Sequence, residues 1–207
     1  MMPAMLPLHY LALGDSYTIG ESVPAEARWP SQLVQQLRRS GVMIVDPRIV
    51  AVTGWTTDEL SAGMDQAQLA PTYDLVTLLI GVNDEYRGRP ASDYRTAFAT
   101  LLQRAIVLAG NHPQRVIVVS IPDWGTTPFA RNDARDAARI ADELDVYNAI
   151  ARDETTRAGA HWVNITPISR QHADLVANDG LHPSAAQYTL WLDTILPIAR
   201  RALRPSR

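Results

Sequence analysis

Short aliphatic runs alternate with longer amphipathic stretches along the entire chain, and this alternation constrains the fold more than any other feature. Leu8 to Leu13, Arg48 to Thr53, Asp74 to Ile80, Arg115 to Ile121 and His161 to Ile165 are rich in Val, Ile and Leu over five to seven residues each. Continuous apolar runs of that length suit strands covered on both faces. Between them, apolar residues recur at helical spacing: Tyr94, Phe98, Leu101, Leu102, Ala105 and Leu108 in one stretch, with Gly110-Asn111 as a stop, and Ile140, Leu144, Tyr147 and Ala151 in another. A final helix is predicted from about Pro183 to Leu203, with Pro183 in its first turn and Arg200 and Arg201 at its C-terminal dipole. Strand–helix alternation of this kind predicts an α/β fold: a five-stranded parallel sheet with helices on both faces, in the doubly wound order 2-1-3-4-5. No repeat or low-complexity linker interrupts it, so residues 1–207 are expected to form a single domain.

In an open parallel sheet, ligands bind beyond the carboxyl ends of the strands. The residues following each run are therefore the informative ones. They read Gly14-Asp15-Ser16, then Gly54-Trp55, then Gly81-Val82-Asn83-Asp84, then Pro122-Asp123-Trp124-Gly125 opening a loop to about Asn132. Past the fifth run, a loop from Thr166 carries Asp179-Gly180-Leu181-His182 into the last helix.

Composition removes many chemistries. The chain has no cysteine and no lysine, and its 19 cationic residues are all arginine. Thiolate catalysis, iron–sulfur clusters, cysteine-bound zinc, the P-loop lysine and Schiff-base enzymes are thereby excluded. The arginines are scattered and the net charge is −3, so no basic patch points to nucleic acid. Apolar runs such as Leu75 to Ile80 are far short of the roughly 20 residues of a membrane helix. Met1 to Leu13 is apolar but lacks a basic region, and removing it would abut Asp15 and Ser16; it reads as structure in a cytoplasmic protein.

A serine hydroxyl needs a base, usually histidine, and the imidazole needs a carboxylate to fix its tautomer. Asp179 and His182 are three apart, a spacing that sets both side chains on one face of a helical turn, with Asp179 accepting from Nδ1 and Nε2 facing Ser16. The Ser16 and Gly54 N–H groups and the Asn83 amide are candidate oxyanion donors. The Gly-x-Ser-x-Gly elbow fails because Thr18 stands at its last position, and neither Gly-x-Gly nor His-Glu-x-x-His occurs.

Gly14-Asp15-Ser16, the lone Gly54, Gly81-Val82-Asn83-Asp84 and Asp179-x-x-His182 resemble, in order, the four blocks of the SGNH (GDSL-type) hydrolase family. The resemblance spans residues 14 to 182. It implies a flavodoxin-like three-layer sandwich and a serine carboxylester hydrolase that forms an acyl-enzyme without cofactor or metal. It also implies Ser16 as nucleophile, His182 as base, Asp179 as its partner, and Ser16, Gly54 and Asn83 as the oxyanion hole. Tyr17-Thr18-Ile19-Gly20-Glu21 departs from the family's common Leu and small residue, so the pocket's shape is individual. The expected substrate is a small-molecule ester with a short to medium acyl chain. A thioesterase, lysophospholipase or carbohydrate deacetylase would use the same set, and a non-catalytic flavodoxin-like binding module is the alternative from another class.

Several nearby groups have simpler readings. Asp15 is expected to bond backbone in its turn, and Asp84 to buttress its loop, rather than react. His9, His112, His161 and His172 have no acidic partner at the Asp179–His182 spacing and read as structural or solvated, with His172 an outside candidate for a pocket contact. Ser120, ending the fourth run, is the nearest rival to Ser16 but lacks oxyanion donors around it. Trp55, Tyr86 and Trp124 are predicted to bind substrate, with Phe129 beside them and the 122–132 loop as a lid or wall. Arg87 and Arg89 read as a solvated rim. The sequence carries no signal for oligomeric state.

Overall fold

The computed structural model describes residues 6–204; Met1 to Met5 of the apolar N-terminal stretch lie outside the described residues. Five strands form one parallel sheet: β1 (Tyr10–Gly14), β2 (Arg48–Ala51), β3 (Leu75–Leu79), β4 (Val116–Val119) and β5 (His161–Val163), in the order β2-β1-β3-β4-β5. Every residue of β1, β3 and β4 is buried, whereas β2 and β5, at the edges, begin in partial exposure. That pattern is why the central runs are continuously aliphatic. Gly14 pairs with Ala51 on one side and Leu79 on the other, so β1, β2 and β3 end level with one another at the carboxyl edge.

The observed strands are shorter than the apolar runs. Leu8 makes only an isolated bridge to Ile44, and Ile165 is buried but belongs to the turn after β5. Apolar burial extends past the point where backbone pairing ends.

The helices are α1 (Ser16–Ile19), α2 (Trp29–Arg39), α3 (Thr57–Gln66), α4 (Val82–Tyr86), α5 (Ala91–Leu108), α6 (Ala137–Ala158), α7 (Thr166–Gln171) and α8 (Ala185–Ala202). α2 packs against α8, while α5 packs against α3 and α6, giving the two helical layers around the sheet. Trp29, Leu33, Val34 and Leu37 of α2 meet the stripe Tyr188, Trp191, Ile195 and Ala199 of α8, from the other end of the chain, within one core. The predicted stripes of α5 and α6 are buried as expected, except that Leu108 is only partly so.

Two helical boundaries differ from expectation. α8 starts at Ala185, because Ser184 caps it through Oγ and the Gln187 N–H; Pro183 stands before the cap, bridged to Val176. The segment from Thr166 is not all loop, since Thr166–Gln171 is helical with Pro167 in its first turn. Six residues are too few for periodicity to register.

Candidate active site

The turn after β1 is tight. A Cβ on Gly14 would lie 2.2 Å from Thr18 Oγ1 and 2.5 Å from the Leu79 carbonyl, so only glycine lets the chain reverse here. Asp15 caps α1, its Oδ1 accepting the Tyr17 N–H at 3.0 Å. This is the backbone role expected of it. Ser16 then occupies the first helical position, where the N–H has no intrahelical partner. On the far side, the Tyr188 hydroxyl donates to the Tyr17 carbonyl at 3.1 Å and ties α1 to α8.

Gly54 has φ +87 with open space where a Cβ would be, so backbone conformation rather than crowding selects glycine. Its carbonyl accepts from Arg87 Nη2 at 2.7 Å, and the next carbonyl, of Trp55, accepts from Asn83 Nδ2 at 2.9 Å. A primary amide has two N–H donors, so Asn83 keeps one for the cavity it lines. Asp84 accepts the Thr57 N–H at 3.0 Å and the Thr57 hydroxyl at 2.8 Å, the buttress expected of it. Arg89 is engaged by Asp58 and Asp84.

Asp179 and His182 do not share a helical turn. They lie in an irregular turn ahead of α8, with Gly180 at φ +70. Asp179 Oδ1 accepts the N–H groups of Leu181 and His182, each at 2.9 Å, and this local turn brings the histidine back over the carboxylate. His182 Nδ1 donates to Asp179 Oδ2 at 2.7 Å. Partial burial opposes the Asp179 charge, but the hydrogen bonds from His182, the Leu181 amide and Ser22 outweigh it and hold the carboxyl down at about 2. The Tyr17 ring packs edge-on to the imidazole at 5.6 Å.

These pieces converge on one cavity of about 170 Å³. Ser16, Gly54, Asn83 and His182 line it on the polar side, with Thr53; Tyr17, Val82, Tyr86, Trp124, Phe129 and Leu181 form its apolar wall. No hydrogen bond between Ser16 Oγ and His182 Nε2 is present among the described residues; in unliganded sites such bonds are often long and tighten with substrate.

The structure corrects two pocket assignments. The Trp55 ring is turned away from the cavity and lies on α3, where a Cβ on Gly63 would come within 2.1 Å of it. Only the Trp55 backbone serves the site, through Asn83. His172 is likewise absent from the lining, and its carbonyl accepts from Gln187 Nε2. The rival Ser120 is fully occupied: its Oγ accepts the Ile165 and Thr166 N–H groups at 2.8 and 3.1 Å.

Three contributors had no signal in the sequence. Glu85, buried behind the wall, accepts from Trp124 Nε1 at 2.9 Å and pairs with Arg135, whose guanidinium sits 5.0 Å from the Trp124 ring and 5.7 Å from that of Tyr86. Burial pushes the Glu85 carboxyl up, against the Trp124 and Arg135 contacts that favour its charge. Ser22 donates to Asp179 Oδ2 at 2.7 Å. The loop bearing Phe129 is also fastened to the histidine turn, Phe129 N–H donating to the Gly180 carbonyl at 3.0 Å. Among the described residues no three His, Cys, Asp or Glu side chains gather as metal ligands, and no helix is long and apolar enough to cross a membrane.

A serine, a carboxylate-held histidine and a cavity thus meet at the carboxyl edge of a doubly wound sheet, where such folds bind their ligands. The GDSL-like lipase/acylhydrolase family model matches residues 12–190, and the chain belongs to that family of ester-bond hydrolases. It is 27% identical over 183 residues to an arylesterase from Vibrio mimicus, covering 84% of this chain and 78% of that protein. Its fold is similar to that of a lipase/acylhydrolase from Enterococcus faecalis, with TM-score 0.75 and 20% identity over 97% of this chain and 99% of the other. A variant of an acetyl xylan esterase from Geobacillus stearothermophilus is similar at TM-score 0.70 and 18% identity, covering 97% of each chain.

Proposed function

We propose that the protein hydrolyses small carboxylic esters through an acyl-enzyme, with Ser16 as nucleophile, His182 as base and Asp179 as its orienting partner. The observation that carries this reading is the Asp179–His182 pair, closed at 2.7 Å, whose imidazole lines the same cavity as Ser16. Ser16 Oγ attacks the ester carbonyl carbon while His182 Nε2 takes the hydroxyl proton. The tetrahedral oxyanion is met by the N–H groups of Ser16 and Gly54 and the free N–H of Asn83. Collapse breaks the bond to the alcohol oxygen, which leaves with the proton from His182. Water then attacks the acyl carbon by the same route in reverse, restoring Ser16 and releasing the acid.

Cavity size favours small substrates. An apolar void of roughly 150 Å³ holds a benzene molecule, and this cavity, at about 170 Å³, fits one short acyl chain or aromatic ring against Tyr86, Trp124 and Phe129. The arylesterase and acetyl xylan esterase likenesses agree with that scale. Acetylated sugars are the second reading, because the same volume takes an acetyl group.

The test is hydrolysis of p-nitrophenyl esters from acetate to palmitate by the wild type and by Ser16→Ala. Turnover should peak among the short chains and fall by several orders of magnitude in the variant, leaving a residue due to the oxyanion hole. Undiminished turnover by Ser16→Ala would overturn the mechanism. Release of acetate from an acetylated oligosaccharide, without turnover of the chromogenic esters, would favour the second reading.

A further inference from the structure

Ser22 stands three residues beyond α1, and two features set it apart. Its backbone has φ +64, a left-handed conformation that glycine adopts freely and other residues adopt at a cost. Its hydroxyl nonetheless reaches 157 residues along the chain to Asp179 Oδ2, at 2.7 Å. That same oxygen receives His182 Nδ1, also at 2.7 Å. A strained backbone thus carries a hydroxyl that glycine, easier at this φ, would lack, and sets it on the carboxylate that holds the imidazole.

We propose that Ser22 is a positioning residue, acting through Asp179 to orient His182 toward Ser16. This rests on the catalytic reading of the site given above. The two amide donors on Oδ1 fix one oxygen of Asp179. Ser22 fixes the other, so the carboxylate keeps its plane and Oδ2 stays aligned with Nδ1. Ser22 also joins the two ends of the machinery, because the loop that carries it continues directly from the Ser16 turn. Neither Glu21 nor Arg28 of this loop takes its place: Glu21 is bonded by the Thr53 hydroxyl, and Arg28 packs its methylenes beside Gly20.

Ser22→Gly separates this role from a structural one, since glycine relieves the backbone strain while deleting the hydroxyl. The variant should melt no lower than wild type. Its kcat on a short p-nitrophenyl ester should fall roughly tenfold, as expected for one charge-assisted hydrogen bond, with KM unchanged. Without the Ser22 proton, Oδ2 presents more charge to the imidazole, so the acid limb of the kcat/KM profile should move to higher pH. In an Asp179→Asn background, Ser22→Gly should cost little more. Wild-type kcat and pH profile in Ser22→Gly, or a full tenfold loss added to that of Asp179→Asn, would overturn the proposal. Ser16→Ala assayed alongside distinguishes the failures: if it alone inactivates, the site reading stands and only Ser22's role falls; if it stays active, the site reading itself fails.

Discussion

Replacing Asp15 by asparagine should flatten a pH dependence of stability built into the turn before Ser16. The Asp15 side chain is wholly enclosed; Oδ1 is capped by Tyr17, and Oδ2 has no partner among the described residues. Burial above all, reinforced by the Asp84 charge and opposed by the Tyr17 N–H, raises the carboxyl from 3.8 to about 8. The folded protein thus keeps a proton that the unfolded chain has released at neutral pH. Because the folded value lies above the unfolded one, the group's contribution is complete below about pH 4 and is lost as pH rises toward 8. Inside that window each pH unit favours unfolding by up to about 1.4 kcal/mol, or about 4 kcal/mol between pH 5 and 8. At about 2–4 °C per kcal/mol for a chain of this length, that is on the order of 10 °C in Tm. Asparagine retains the acceptor for Tyr17 and stays neutral, and any cost of its unpartnered N–H is constant with pH. Thermal melts of both proteins between pH 5 and 8 should therefore diverge by about 3 °C per unit, the variant gaining relative to wild type as pH rises. Melting temperatures that run parallel would refute the reasoning. In the proposed chemistry the retained proton keeps a formal negative charge away from the oxyanion forming at Ser16.

Other outcomes follow from the same geometry. Asn83→Ala should lower kcat by roughly 10²–10³ with the fold intact, as for a lost oxyanion donor; a loss under about tenfold would remove the amide from the mechanism. Phe129→Ala opens the apolar wall and should lengthen the preferred acyl chain, each added methylene gaining roughly fourfold in kcat/KM at about 0.8 kcal/mol. An unchanged chain-length profile would assign the cavity to the alcohol side of the substrate. Gly81→Ala combines φ +128 with a Cβ 2.6 Å from Tyr94 Cε2, and should cost on the order of 1–3 kcal/mol by denaturant unfolding. Unaltered stability would show that the Tyr94 ring yields.

The sheet was legible because its central strands are buried on both faces and their composition says so without any partner being known. Ser16, Gly54 and Asn83 were legible for a related reason: each follows a strand closely, and parallel strand ends lie together. His182 reaches the same edge only after α7 and a further turn, and was legible from its spacing to Asp179. Trp55 was misassigned because β2 ends at Ala51, and beyond a strand no periodicity fixes where a side chain points. The Asp179–His182 spacing fits a helical turn and a hydrogen-bonded loop turn equally, and the presence of Gly180 at positive φ decided for the loop. Ser22, Glu85 and Arg135 left no trace because their partners lie 157, 39 and 50 residues away. Choices of partner at that range are made by the folded surface, not by local pattern.

The hydrogen bond from Phe129 N–H to the Gly180 carbonyl links the substrate wall to the turn that carries Asp179 and His182. In the proposed mechanism, selection for a broader substrate range would act first on Phe129 and its neighbours, and every backbone shift accepted there would be passed to the turn holding the proposed base. Specificity and rate would then be epistatic. Variants that widen the wall should arise with a turnover penalty, and the second-site changes that restore it should gather at residues 179–181 rather than around the new substrate.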